Sequence, residues 1–415
     1  MTRAPGYASS RWLVLSIFAL STAINYLDRQ TLATVAPLLQ AEFRLSNEQY
    51  GLILSAFSVT YAASAVFAGM LIDRIGLNRA ISLAVGLWSC TGIATGFTRG
   101  LGGLVGCRAA LGMTEAAGIP AAGKAIHQYL KPAERAMGNA MNQAGVSVGA
   151  ALAAPFATWL AVRSGWRSAF VATGALGLIW IPVWRWAAGR APVAPAPKPG
   201  AGVGAEILRD RRLWSFVAAN ALSMVGYSLW TNWTTKYLVS ARHLTLVQAA
   251  WYAWIPPVAA TIGGFAGGSL SWRWIARGVP APAARFRVCL AASAVSLATA
   301  AIPAAPSAAW ATAGISLSFF AVAAFSVNMY TLPLDVFGGA RAAFAVSMLV
   351  ASYGVAQAVV SWAFGRVVDL HGYAPLTFVA ALTPLAACAV LWATKSVAGC
   401  PTEEWRSRNA PNQSS

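Results

Sequence analysis

Apolar stretches long enough to cross a bilayer recur almost without pause along this chain, and that recurrence limits the fold more than any motif does. A hydrocarbon core about 30 Å thick takes about 20 apolar residues of helix. Within it every backbone N–H and C=O must be paired inside the protein, which leaves only helices or closed barrels. Barrel strands would show ~10-residue alternation, and that pattern is absent. Only 10% of the 415 residues are charged, against about 25% for a soluble domain. The chain is expected to be an all-α polytopic membrane protein.

Apolar windows between loop signals give twelve spans, near 12–39, 48–71, 80–98, 101–125, 137–160, 168–188, 213–239, 246–271, 286–303, 307–331, 341–366 and 373–395. The stretch "RAPVAPAPKPGAGVG" (Arg190–Gly204) is rich in Pro, Ala and Gly and reads as a linker. The expected organisation is an N-terminal six-helix bundle over 1–188, a cytoplasmic linker over 189–212, a C-terminal six-helix bundle over 213–396 and a tail over 397–415. An internal echo supports two halves. "GMLIDRIGLNR" (Gly69–Arg79) follows the second span and "GGSLSWRWIARG" (Gly267–Gly278) the eighth, with Trp272 where the first copy has Asp73.

The net charge of +18 would suit a nucleic-acid partner if it formed a stripe, but it does not. Arg and Lys gather in alternate loops: Arg74 and Arg79; Lys131 and Arg135; Arg190, Lys198, Arg209, Arg211 and Arg212; Arg273, Arg277, Arg285 and Arg287. That is the positive-inside pattern. It excludes nucleic acid and places both termini and the linker in the cytoplasm. Abundant Ala and an excess of Arg over Lys suit a high-GC bacterium, so the expected location is its inner membrane. No small-residue cleavage site follows the first apolar run, so that run is expected to stay as a helix. The five cysteines are scattered without a C-x-x-C and read as small apolar fillers.

Against this background "NYLDRQ" (Asn25–Gln30) is the anomaly, because it sets Asp28 and Arg29 deep inside the first span. A charge at the bilayer centre costs at least ~2.5–3.5 kcal/mol, so it normally faces a cavity and marks function. Neighbours on a helix point about 100° apart. Asp28 and Arg29 therefore need separate partners, in a binding site or in a structural ion-pair network. Arg108 and Glu115 are seven residues apart in the fourth span, two turns and about 10.5 Å along one face. Gly112 between them leaves that face open to a ligand or a facing helix. An anion engaging Arg108 would remove a counter-charge from Glu115 and favour its protonation; a packing network is the alternative.

Other polar residues read less sharply. Gln143 and Asn328 are cavity candidates, while Lys236 is either an interfacial snorkel or a second anion ligand. Asp73 and Arg74, at the end of the second span, suit a gate, the acid capping a helix N-terminus or pairing with loop arginines. "GIPAAGKA" (Gly118–Ala125) mimics a phosphate loop but lacks the following Ser/Thr and contains Pro120, which excludes nucleotide. His127, His243 and His371 fall in unrelated segments and suggest no metal site. No catalytic constellation stands out, so neither an enzyme nor a cofactor is expected.

"GMLIDRIGLNR" resembles the loop signature of the major facilitator superfamily. "NYLDR", "CRAALGMTEAAGIPAAGK" (Cys107–Lys124) and "GWRSAF" (Gly165–Phe170) resemble its anion:cation symporter branch, which includes hexuronate, galactonate, organic-anion and sialic acid carriers. The resemblance runs nearly end to end, through "AWIPPVAATIGGFAGG" and "LPLDVFG". It departs at Leu77 and Asn78, where the family carries a basic pair. The resemblance implies twelve transmembrane helices in two pseudo-symmetric six-helix halves, the major facilitator fold. It implies a proton-coupled symporter that imports a small organic anion, a sugar acid or another hydroxylated carboxylate, by alternating access. The alternative, a proton-coupled exporter of a drug or metabolite, is disfavoured because "NQAGVSVGAALAAP" (Asn142–Pro155) has no Gly-Pro pair. On the family's pattern Asp28 and Glu115 couple protons, and Arg29 and Arg108 bind the substrate carboxylate. Tyr26, Tyr61, Asn232 and Trp233 match positions that line the family's cavity. The expected partners are the anion, protons and the lipid bilayer, with the chain acting as a monomer.

Overall fold

In the computed structural model, residues 6–130, 134–190, 207–337 and 339–394 are described. They are almost entirely helical and contain no strand. The first half comprises α1 (Gly6–Phe43), α2 (Asn47–Ile75), α3 (Leu77–Thr95), α4 (Leu101–Glu115), α5 (Gly118–Tyr129), α6 (Arg135–Ser164) and α7 (Trp166–Ala188). Then come α8 (Arg211–Ser223), α9 (Val225–Ser240), α10 (Leu246–Ala253), α11 (Ile255–Ala276) and α12 (Ala281–Ser296), which runs into a 3₁₀ turn, Leu297–Ala304. The last three are α13 (Ala308–Phe337), α14 (Gly339–His371) and α15 (Ala374–Ala393). Six helices are apolar and long enough to cross a membrane by length and composition. Most of the expected linker, and all of the expected tail, lie outside the described residues.

Several expected spans are interrupted, and proline accounts for two of the breaks. A proline ring clashes with the carbonyl four residues back and supplies no N–H. Pro120 thus ends α4 near Ala116, and Pro256 with Pro257 ends α10 at Ala253. Ala116, Ala117, Met224 and Trp254 all keep right-handed helical dihedrals, so the chain continues in line across these breaks. Joining those pieces leaves twelve helical segments among the described residues, in keeping with the twelve apolar windows.

Six described residues have φ in the left-handed region, and they form three matched pairs. Arg44 (φ 52°) follows the first segment and His243 (φ 57°) the seventh. Each leads through a leucine into a capping box, Ser46 with Gln49 and Thr245 with Gln248, that starts the next helix. Gly76 is matched by Gly278, and Gly165 by Gly372, in the loops after the second and eighth and the fifth and eleventh segments. A left-handed residue is costly for anything but glycine, so three coincidences of this kind indicate one turn plan used twice. Helix contacts repeat too: α2 on α4 is matched by α11 on α13, and α3 on α7 by α12 on α15.

The two groups meet along α2 with α14, α1 with α9, and α6 with α10 and α11. The first seam is sealed at the end of the bundle that holds the turn at 44–46. There Asp369, in the last turn of α14, accepts hydrogen bonds from the backbone N–H of Asn47 (3.1 Å) and Glu48 (2.8 Å) and from the Asn47 side chain (2.6 Å). A carboxylate at a helix N-terminus pairs orphan donors and opposes the helix dipole. Side chains added at Gly51 or Gly365 would overlap the backbone of the facing helix, so glycine is what permits this close approach. The Ser55 hydroxyl also donates to the Ala358 carbonyl (2.5 Å). At the opposite end Arg11 pairs with Glu134 (3.0 Å) within the first half, and Arg285 with Asp335 within the second.

Replacing Asp369 by Ala should loosen this seam. Ser55 is buried; as a cysteine, in a chain stripped of its own cysteines, it should react with a water-soluble maleimide about fivefold faster in the Asp369→Ala background. That is the population shift from losing about 1 kcal/mol of helix-end stabilisation. An unchanged rate would mean that packing at Gly51 and Gly365 holds the seam alone.

Candidate functional site

Four charged side chains lie inside the first half, two on α1 and two on α4. Gly112 decides how they meet. A side chain there would overlap the Phe57 carbonyl and Thr60 hydroxyl of α2, so the face left open by Gly112 is filled by a helix, not a ligand. With α4 held against α2, Glu115 reaches Arg29: its Oε2 accepts from Nη2 at 2.6 Å and from Nε at 3.0 Å. The guanidinium lies over the rings of Phe57 (4.7 Å), Tyr26 (5.0 Å) and Tyr61 (5.3 Å), each close enough for cation–π attraction. Glu115 is sealed, yet the Arg29 side chain keeps 22% of its exposure.

Asp28 points elsewhere. Its Oδ1 accepts from Thr173 of α7 at 2.6 Å, and the carboxylate packs against Gly92 of α3. Arg108 is buried and forms no ion pair with a described residue, and its Nε has no hydrogen-bond partner. Asp28, Glu115, Tyr50 and Arg29 are nonetheless near enough to act on its charge. Both acids leave one oxygen buried and unpaired, Oδ2 of Asp28 and Oε1 of Glu115. A buried polar atom without a partner costs about 1–3 kcal/mol, more when charged. Protonation at that oxygen would relieve the cost. Counted as ionised, the two acids and two arginines sum to zero charge.

The second half brings tyrosines to this place. Tyr227 of α9 and Tyr353 of α14 lie within electrostatic reach of both Arg29 and Tyr26, and Tyr330 of α13 within reach of Tyr26. The Tyr227 and Tyr353 rings are 6.2 Å apart. Together with Tyr26 and Tyr61 they make five half-buried tyrosines from five helices, drawn from both halves. The sequence reading did not select Tyr227, Tyr330 or Tyr353. The signal was there, since each is a hydroxyl-bearing ring inside an apolar window and such rings seek a polar partner.

Other selected residues have partners or exposures of their own. Gln143 is exposed on α6. Asn328 is buried between α11 and α13, its amide donating to the carbonyls of Gly267 (3.2 Å) and Ala324 (2.9 Å). Asn232 and Trp233 belong to the sealed seam: the Asn232 carbonyl accepts from the Tyr50 hydroxyl (2.9 Å), and Trp233 meets Tyr50 edge-on at 5.1 Å. Lys236 does not snorkel; it is 4% exposed, its ammonium over Trp233 (4.9 Å) and Tyr50 (5.2 Å). Arg74 is exposed in the last turn of α2, and the Asp73 side chain lies outside the described residues. Lys124, from the phosphate-loop mimic, sits in helix α5 and donates to the Ile72 carbonyl (3.2 Å). No cluster of three metal-ligating side chains occurs among the described residues.

A model of the Major Facilitator Superfamily matches residues 18–348. The hexuronate transporter of Escherichia coli K12 is 28% identical over 407 residues, covering 92% of this chain and 93% of its own. The galacturonate transporter of Dickeya chrysanthemi is 28% identical over 277 residues, 62% of this chain and 80% of its own. A probable sulfoacetate transporter of Cupriavidus necator is 28% identical over 394 residues, 89% and 90% of the two chains. The fold is shared with a bacterial homolog of the human lysosomal transporter Spinster, solved inward-facing, at a TM-score of 0.71 and 21% identity. That likeness covers 95% of this chain and 97% of the other.

Removing one member of a buried ion pair strands the other and costs about 3–5 kcal/mol. Arg29→Met should therefore lower the melting temperature in detergent sharply, and the double variant Arg29→Met, Glu115→Gln should recover most of the loss. Equal destabilisation in single and double variants would show that the aromatic seat of Arg29, not the pair, matters.

Proposed function

Because the chain belongs to the major facilitator superfamily, we propose that this membrane carrier imports a small organic anion, a sugar acid or similar hydroxylated carboxylate, together with protons. One observation carries the reading. Arg29, held by Glu115, keeps part of its guanidinium open among five tyrosines supplied by both halves. A planar guanidinium binds carboxylate through paired N–H donors, and Tyr hydroxyls answer the hydroxyls of a sugar chain. The names of the relatives, with hexuronate and galacturonate among them, support the same substrate class.

Coupling follows from sharing one cation. A substrate carboxylate engaging Arg29 competes with Glu115 for it. Glu115 then stands buried with less counter-charge and takes up a proton at its unpaired oxygen. The exchange first considered for Arg108 runs through Arg29, because that is the arginine in contact with Glu115. Arg108, whose Nε is unpaired among the described residues, adds to the positive potential that draws the anion. Asp28, with its own unpaired oxygen, is the second proton site. A monoanion entering with two protons moves one net positive charge inward, worth about 2.3 kcal/mol per 100 mV. Alternating access then parts the Asp369-capped seam to admit substrate. On this reading Asp73 and Arg74 belong to the gate at the arginine-rich end, which faces the cytoplasm with the linker and both termini.

Arg29→Ala should reduce uptake of the transported sugar acid into proteoliposomes by about two orders of magnitude or more, with Arg29→Lys failing to restore it because an ammonium lacks the planar fork. Full uptake by Arg29→Ala would overturn the assignment. The double variant Asp28→Asn, Glu115→Gln should retain binding, measured by thermal shift, and lose accumulation driven by a pH gradient. Persistent proton-driven accumulation would remove both acids from the coupling role.

A further inference from the structure

Lys236 plays no part in the scheme above, and its surroundings are unusual. It is 96% removed from solvent by its 4% exposure, and its ammonium makes no hydrogen bond to any described residue. Its near neighbours are rings: Trp233 of its own helix and Tyr50 of α2, across the seam between the halves. Asp369, the acid that acts on its charge, does not hydrogen-bond to it and is engaged with three donors at the start of α2. A buried ammonium with neither counter-ion nor acceptor is costly, and replacing it with an apolar chain would ordinarily stabilise the fold.

Its position relative to Arg29 can be read along α2. Arg29 stands over Phe57 and Lys236 over Tyr50. Those rings are seven residues apart on one continuous helix, so they share a face and lie about 10.5 Å apart along the axis. Arg108 of α4 is near enough to both Tyr50 and Arg29 for their charges to act on each other. Two cations seated about two helix turns apart along one face call for a ligand with an acidic group at each end of a chain of several carbons, each end taking a charge-assisted hydrogen bond.

We propose that Lys236 is a second anion-binding group of the transport pathway, taking the acid at the far end of a dicarboxylic sugar acid whose near carboxylate is held by Arg29. This rests on the sugar-acid reading of the same site. Tyr50 and Lys236 belong to opposite halves, so the parting of α2 from α9 that admits substrate also lifts the ring off the ammonium. In the closed seam the ring's π-face stands in for the anion.

The test is equilibrium binding to the purified full-length chain of galactarate, acidic at both ends, and galactonate, acidic at one. In Lys236→Met the galactarate Kd is expected to rise about tenfold or more and the galactonate Kd by less than about threefold, with Lys236→Arg restoring galactarate binding. Equal weakening of both ligands would make Lys236 a positioning residue of the seam and overturn the proposal, as would an unchanged galactarate Kd. Because the Met variant removes an uncompensated charge, loss of folding is not expected. Lys236→Gln provides the same comparison should the Met variant fail to fold. Wild-type protein that binds galactonate but not galactarate overturns the subsite and leaves the sugar-acid reading standing. Wild-type protein that binds neither of these nor galacturonate overturns that reading, and the subsite with it; binding of galacturonate alone overturns the subsite only.

Discussion

A guanidinium at lipid depth must be surrounded by protein that answers its charge, and the placement of Arg29 governs much else in this molecule. Its carboxylate comes from α4, its rings from α1 and α2, and its outer neighbours from helices of the other half. None of those groups is interchangeable. Glu115 supplies charge, Phe57 and Tyr61 supply a polarisable floor, and part of the Arg29 side chain stays exposed. Glycine at 112 is the geometric condition, because only a helix without a side chain there lets α4 lie close enough to α2.

The same economy of contact appears at the seam between the halves. Asp369 does at a helix N-terminus what Ser46 and Thr245 do elsewhere, pairing backbone donors that the helix leaves open. The difference is that Asp369 reaches across to the other half, so its bonds can be broken without unfolding any helix. Glycines at 51 and 365 let the two helices approach closely at this contact. By contrast, the glycines and the proline-induced breaks inside each half shape permanent structure.

Much of the architecture was legible before coordinates because it follows from one-dimensional rules. Apolar windows located the helices, since a bilayer-depth segment cannot hide an unpaired backbone. Charges at 28, 29, 108 and 115 announced themselves because lipid does not tolerate them. Pairing among them was not legible. Helical geometry ruled out Asp28 with Arg29, yet it could not choose between Arg29 and Arg108 for Glu115, since that depends on how α1 and α4 lean on α2. Asn328 shows the converse limit: a polar residue in a span can serve a neighbouring carbonyl, and sequence does not distinguish this from lining a cavity. Lys236 is the sharpest case, because its place near a span end suggested an interfacial head group, and packing of α9 against α2 buried it under aromatic rings instead.

What the sequence alone determined, then, is the class of fold, the duplicated plan and the identity of the charges that a membrane segment would not keep without cause. These depend on hydropathy and spacing within single helices, quantities that do not change with the company a helix keeps. Tertiary structure decided which acid answers which base, which tyrosines converge from the two halves, and which lysine is left without a partner. Those outcomes depend on interhelical distances of a few ångströms, set by where glycine and alanine allow two backbones to touch, and no linear reading of the chain contains them.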